Sequence, residues 1–215
     1  MVAHDLRNPI GAVESIAMIM ELEVTDDDIQ ENLGMIKESC ATARGIIDDL
    51  LAAARNENHN IVETTRTEMN EFLQGLVNLW QIQKDFKSNV VFNSPGQKIF
   101  ALVNPEKFQR VVDNLISNAL KFSKDTDKVF VFLEYTRKEV VIKVQDQGLG
   151  IPKDIIPHLF ESFSKAGREG LRGEKSTGLG LTIVKQIVES HRGTIKVDSI
   201  EGKGTTFTIT LPLVQ

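Results

Sequence analysis

Cysteine is almost missing from this chain: Cys40 is the only one in 215 residues. A single thiol excludes intramolecular disulfides and cysteine-rich metal sites, and it is compatible with a reducing compartment. Long apolar runs are missing too. None approaches the roughly 20 residues that a membrane-spanning helix needs, and no signal peptide is visible. The chain as given is therefore expected to be soluble and cytoplasmic, although a sensor or membrane portion could precede it, since it opens only three residues before His4. A long basic block is also absent. The 25 basic and 30 acidic residues are spread along the chain with a net charge of -5, which points away from nucleic acid as a partner. Internal repeats and low-complexity segments are lacking. What remains is the composition of an ordinary globular protein, long enough for one large or two small domains with a real core.

In the first 56 residues the apolar positions follow a seven-residue repeat. Leu6, Ile10, Val13, Ala17 and Met20 step by four and three, and Ile29, Leu33, Ile36, Cys40, Ala43, Ile47, Leu50 and Ala54 continue the alternation. That spacing predicts the seam of a coiled-coil-like antiparallel helical hairpin. Thr25, followed by Asp26, Asp27 and Asp28, reads as the N-cap of the second helix, with acids where the helix dipole favours them. Two helices alone have too little core, so a second copy is expected to cover the stripe in a dimeric four-helix bundle. The alternative is that the hairpin packs onto the rest of its own chain.

Five polar residues, Asn56-Glu57-Asn58-His59-Asn60, break the repeat and mark a linker between a first domain at 1–56 and a second at 61–215. Beyond it the periodicity predicts a helix over 69–87, strands at 90–92 and 99–103, and a helix over 105–122 with Pro105 suited to its first turn. Paired strands are expected at 129–135 with 139–145 and at 194–198 with 205–211, and a further helix over 180–190. Strands interspersed with helices suggest an α+β domain, with helices on one face of a mixed sheet.

Candidate chemistry begins at His4-Asp5-Leu6-Arg7-Asn8-Pro9-Ile10. His4 stands two residues before Leu6, off the seam. Asp5 beside it can accept the proton of one ring nitrogen, fixing the tautomer that leaves the other nitrogen nucleophilic. Pro9 removes an amide that would bond the carbonyl of Asp5, so the helix should loosen there. A solvated histidine on a helix face would look the same in isolation. His59, His158 and His191 lack this setting and read as structural or solvent-exposed.

Further on, Asn114, Asn118 and Lys121 step by four and three, which puts two side-chain carbonyls and an ammonium on one helical face, as a magnesium-bound triphosphate requires. An ordinary amphipathic helix, with Val111, Leu115 and Ile116 facing the core, gives the same pattern. Asp146-Gln147-Gly148-Leu149-Gly150 follows a strand, and its glycines permit close backbone approach, as a plain strand-ending turn also would. Thr177-Gly178-Leu179-Gly180-Leu181 opens a helix and can offer amides to phosphate. Between these segments, residues 164–176 hold Lys165, Arg168, Arg172 and Lys175 among Gly167, Gly170 and Gly173, with Phe160 and Phe163 just before them. This reads as a basic lid over phosphates, or as a solvated loop. Gly202-Lys203-Gly204-Thr205-Thr206 is the last of the set.

With these five motifs in this order, the chain resembles the two-component sensor histidine kinases over nearly all of its length. The resemblance implies a dimeric phosphoacceptor hairpin followed by an α/β sandwich of the Bergerat type that binds ATP and Mg2+. It implies autophosphorylation of His4 with Asp5 as its partner, and phosphoryl transfer to an aspartate on a response-regulator receiver domain. In that family the position of Asn8 helps to orient water for dephosphorylating the regulator. The resemblance further implies that Asn114 ligates magnesium, Asn118 supports it, Lys121 meets phosphate and Phe122 lines the pocket. Asp146 would accept a hydrogen bond from the adenine amino group, with Gly148, Gly150, Gly178, Leu179 and Gly180 shaping the site and Thr205 reaching toward the base. Ser176 departs from the family, which commonly has glycine before Thr-Gly-Leu-Gly. Two rival classes share parts of this pattern. One is an ATPase whose nucleotide drives conformational change, as in heat-shock chaperones and mismatch-repair proteins, against which the histidine-bearing hairpin argues. The other is a non-catalytic docking module, against which intact Asn114, Lys121 and Asp146 argue.

Overall fold

The computed structural model describes residues 2–24, 26, 29–30, 32–34, 36–37, 39–40, 43, 47, 62–82, 89–161, 171 and 180–214, with side chains from residue 7 onward. The chain separates into two compact units, Met1–Asn58 and His59–Gln215. The polar linker expected around residues 56–60 lies outside the described residues.

In the first unit, α1 (Val2–Glu23) carries Pro9 inside it. A second helix, α2, carries the helical positions 29–30, 32–34, 36–37, 39–40, 43 and 47. The expected cap at Thr25 falls outside the described residues, and the cap hydrogen bonds come from Asp26. Its Oδ1 accepts the amide of Ile29 at 3.1 Å and its carbonyl accepts that of Gln30 at 2.9 Å. An aspartate carboxylate is among the preferred acceptors for that position. Lys37 and Glu21 tie the helices together at 2.6 Å. The heptad seam divides into two rows. Ala17, Leu33, Cys40 and Ile47 are 2–8% exposed within the single chain, whereas Val13, Met20, Ile29 and Ile36 stay 41–48% exposed. Pro9, Ile10, Val13, Ile36, Cys40 and Ala43 line an apolar groove along this surface.

The second unit is built on a seven-stranded sheet: β1 (Thr65–Glu68), β2 (Val90–Asn93), β3 (Phe100–Val103), β4 (Val129–Tyr135), β5 (Glu139–Gln145), β6 (Thr194–Ile200) and β7 (Gly204–Val214). The order is β1-β3-β7-β5-β4-β2, with β6 also paired to β7, and the β2–β4 pair alone is parallel among the described strands. The sheet is thus mixed, as expected. β1 was not expected, because Thr-Arg-Thr-Glu has no apolar alternation; it is held by pairing with β3.

Among the described residues, three helices supply the apolar layer that covers the sheet: α3 (Met69–Ile82), α4 (Pro105–Lys121) and α5 (Gly180–Ser190). α4 begins where Asn104, in extended conformation, accepts the Lys107 amide at 3.0 Å, with Pro105 in the first turn. It buries Phe108, Val111, Val112, Leu115, Ile116, Ala119 and Leu120. Each large aliphatic side chain so buried contributes roughly 1.5–3 kcal/mol relative to exposure. α3 starts on Glu68, whose carboxylate accepts the amides of Glu71 at 2.7 Å and Ile99 at 3.0 Å. Burial alone would raise the Glu68 pKa, but these bonds and those from Asn70 outweigh it and hold the group below the usual carboxylate value. Residues 83–87, expected to extend this helix, lie outside the described residues.

Candidate nucleotide-binding site

The C-terminal half of α4 forms one wall. Asn114, Asn118 and Lys121 are all half-buried, beside the row of fully buried residues that anchors the helix to the sheet. Helical spacing puts them there, since the core face is already taken by Val111, Leu115 and Ile116. Asn114 donates through Nδ2 to the Arg110 carbonyl at 2.8 Å, which fixes the side-chain amide and turns Oδ1 the other way. There Oδ1 meets the start of α5: a Cβ on Gly180 would lie 2.8 Å from it. Only glycine leaves that space open. Lys121 Nζ lies 5.6 Å from the centroid of the Phe122 ring, and Phe122 caps the helix with its amide on the Asn118 carbonyl.

The turn after β5 packs directly on that cap. Leu149 donates to the Phe122 carbonyl at 3.0 Å. A Cβ on Gly148 would sit 2.0 Å from the same oxygen, so no other residue fits at 148. Asp146, 7% exposed, holds this turn through Oδ1, which accepts the amides of Gly148 at 2.9 Å and Thr205 at 3.1 Å. Oδ2 accepts nothing among the described residues. Burial pushes the Asp146 pKa up, the two amide bonds oppose the rise, and the nearby negative charge of Asp127 adds to it. Gly150 adopts a left-handed backbone at φ 64°. The β6–β7 turn completes the wall: Asp146 donates its amide to the Thr205 carbonyl at 2.9 Å, and Gly202 donates to that of Leu149 at 2.7 Å.

Four separate stretches of sequence therefore meet at one end of the second unit, bringing together Asn114, Asn118, Lys121, Phe122, Asp146, Gly148, Gly150, Gly180 and Thr205. Gly178, Leu179, Ser176 and Phe163 lie outside the described residues, as do the lid cations Lys165, Arg168, Arg172 and Lys175. Leu171, inside that stretch, donates its amide to the Lys121 carbonyl at 3.1 Å. Phe160 packs edge-on against Phe207 with ring centroids 6.5 Å apart. The structure adds residues that the sequence did not single out. Asp127 raises the Asp146 pKa, and Ser199 bonds Thr205 from the neighbouring strand. Strand register is the signal for the second, since Ser199 faces Thr205 in the β6–β7 ladder.

A carboxylate with one unengaged oxygen, an amide oxygen facing an uncluttered helix start and a lysine beside them fit a magnesium nucleotide. The donor set is hard oxygen for the cation and positive charge for phosphate. In the first unit, His4, Asp5 and Asn8 all lie within α1. Asn8 is exposed, while the side chains of His4 and Asp5 lie outside what is described. Of the other histidines, His158 is exposed against Glu161 at 2.9 Å, His191 is buried at 4% exposure, and His59 lies outside the described residues. Among the described residues no helix is long and apolar enough to cross a membrane, and no cluster of metal-ligating His, Cys, Asp or Glu occurs.

Residues 103–215 match the histidine kinase-, DNA gyrase B- and HSP90-like ATPases, and residues 1–59 match the His Kinase A (phospho-acceptor) domain. The sensor histidine kinase WalK of Bacillus subtilis is 31% identical over 217 residues, covering 98% of this chain and 35% of its own length. The sensor protein kinase WalK of Staphylococcus epidermidis is 32% identical with the same coverage. The chain thus spans about a third of the length of these relatives. Among solved structures, full-length ShkA in complex with AMPPNP shares the fold, with a TM-score of 0.80 at 20% identity, over 100% of this chain and 45% of that one. The mycobacterial sensor histidine kinase MprB matches with a TM-score of 0.58 at 27% identity, over 70% of this chain and 97% of its own. With a phosphoacceptor domain followed by an ATP-binding domain of this type, the chain belongs to the two-component sensor histidine kinases.

Proposed function

We propose that the chain is an ATP-dependent autokinase that phosphorylates His4 and passes the phosphoryl group to an aspartate on a response-regulator receiver domain. The observation that carries the ATP half is the pairing of Asp146, buried with only Oδ1 engaged, with the cradle that Gly180 leaves beside Asn114 Oδ1. Asp146 accepts the adenine amino group, Phe122 and Gly148 bound the base, and Lys121 meets the phosphates. Magnesium, when bound, neutralises charge on the phosphates, and Asn114 would hold it through Oδ1, with Asn118 in support.

In the transfer step the unprotonated ring nitrogen of His4 attacks the γ-phosphorus. The bond from that phosphorus to the β–γ bridging oxygen breaks, and ADP leaves with the electron pair. Asp5 accepts a hydrogen bond from the other ring nitrogen, which stabilises the positive charge that develops on the imidazole. The phosphohistidine then gives its phosphoryl group to a receiver carboxylate, restoring the neutral ring. Asn8, four residues after His4 on the exposed side of α1, would orient water against the phosphorylated receiver, adding a phosphatase activity. A homodimer through the hairpin is the working assembly.

His4→Gln protein should bind ATP as the parent does yet take up no label from γ-labelled ATP. Acid-labile phosphate retained in that variant would move the phosphoacceptor elsewhere, and phosphate absent from the parent chain as well would leave the pocket as that of a plain ATPase.

A further inference from the structure

Ser199 stands in β6 directly across from Thr205 in β7. Its hydroxyl has three neighbours: the Ile151 amide at 2.8 Å, the Gly204 carbonyl at 2.9 Å and Thr205 Oγ1 at 2.9 Å. Proton counting resolves the direction of all three bonds. A carbonyl can only accept, so Ser199 directs its one proton to Gly204. An amide can only donate, so one lone pair of Ser199 goes to Ile151. The bond to Thr205 then forms with Thr205 as donor, into the remaining lone pair. Thr205 Oγ1 consequently has no proton left to offer and presents lone pairs alone.

This matters because the same residue holds the buried carboxylate. The Thr205 amide bonds Asp146 Oδ1 at 3.1 Å, and Thr205 itself is 6% exposed. With Thr205 read as the residue that reaches toward the base beside Asp146, its acceptor-only hydroxyl and the carboxylate form an edge composed of acceptors. Such an edge suits a group with two N–H bonds, such as the 6-amino group of adenine. A 6-oxo purine offers it a carbonyl, and lone pairs then face lone pairs.

We propose that Ser199 is a positioning residue for base selection: by taking the Thr205 proton it locks that hydroxyl as an acceptor and turns the pocket against 6-oxo purines. Ser199 acts through Thr205 and touches no nucleotide. The inference rests on the reading of Asp146 as the group that meets the adenine amine.

The test is the ratio of ATP to ITP affinity, measured by titration calorimetry on the full chain. Ser199→Ala should lower the ratio by roughly three- to tenfold, the range for one hydrogen bond. Ser199→Cys, close in size and a poor hydrogen-bonding partner, should do the same and covers the case in which alanine unsettles the strand. Ser199→Thr, which keeps a hydroxyl, should restore the parent ratio. In a Thr205→Val background, Ser199→Ala should leave the ratio unmoved. A ratio unchanged in both Ser199→Ala and Ser199→Cys, even with lowered thermal stability, would make Ser199 merely structural and overturn the proposal, as would an equal loss in the Thr205→Val background. A parent chain with no preference for ATP over ITP would instead overturn the role of Asp146, before any change at Ser199.

Discussion

Asp146 carries a conflict between stability and binding. Burial raises its pKa, the amides of Gly148 and Thr205 compensate only in part, and Asp127 adds like charge. The folded-state pKa therefore lies above the unfolded one, so stability is lost as pH rises from the unfolded value through the folded value. At neutral pH the ionised group is a standing cost. Asparagine keeps an oxygen for both amides and removes the charge. Asp146→Asn should accordingly melt no lower than the parent at pH 7, while ATP binding weakens by roughly 1–3 kcal/mol for loss of a bond to a charged acceptor. Thermal unfolding and calorimetric titration on the same samples check both halves. A variant that melts lower and binds ATP equally well would assign Asp146 to the scaffold.

Among the elements, the junction of α4 and α5 depends on one neutral histidine. His191 Nε2 accepts the Asn104 amide at 2.9 Å and Nδ1 donates to the Ile187 carbonyl at 2.7 Å. The Phe108 ring meets it edge-on at 5.8 Å. The ring thus joins the end of α5 to the capping residue of α4, the helix that carries Asn114 and Lys121. Protonation would set a donor against the Asn104 amide. Burial first, and the charge of Lys107 in addition, push the His191 pKa down against the opposing bond to Ile187. The folded pKa lies below the unfolded value near 6.5, so this contribution is complete above about pH 6.5 and is lost as pH falls toward the folded value. The urea midpoint should therefore decline on acidification from pH 7 toward pH 5.5, and the decline should be shallower in His191→Gln. Parallel curves for the two proteins would contradict the assignment of the neutral ring.

For the whole molecule, the divided seam bears on assembly. Leu33 and Ile47 are already buried within one chain, so a glutamate at either would disrupt the hairpin itself at a cost of several kcal/mol. Besides Ile29 and Ile36 on α2, apolar surface is left over on α1, where Ile16 is 57% and Ile19 is 58% exposed, continuous with Val13 and Met20. A surface of that kind asks for a second copy. The pair Ile16→Glu and Ile19→Glu should sediment as a monomer with its helix content retained, whereas Leu33→Glu should lose helix content. A dimer that persisted at low micromolar concentration in the first variant would place the interface elsewhere.

Local physics made much of this molecule legible in advance. The strands at 129–135 and 139–145 and the helix at 180–190 were readable because alternation and 3.6-residue periodicity depend on neighbours in the chain. Asn114 and Lys121 share a face for the same reason. What could not be read depends on partners distant in sequence. β1 is polar throughout and exists because β3 offers it a ladder; Gly180 matters because Asn114, 66 positions earlier, points at it. The two rows of the heptad seam are equivalent as a pattern, and packing alone buries Leu33 and leaves Ile36 exposed. Ser199 has the plain look of a polar residue in an alternating strand. Its proton bookkeeping with Gly204, Ile151 and Thr205 arises only when the register of β6 on β7 has been set, because hydrogen-bond direction is a property of the assembled neighbours and not of any one side chain.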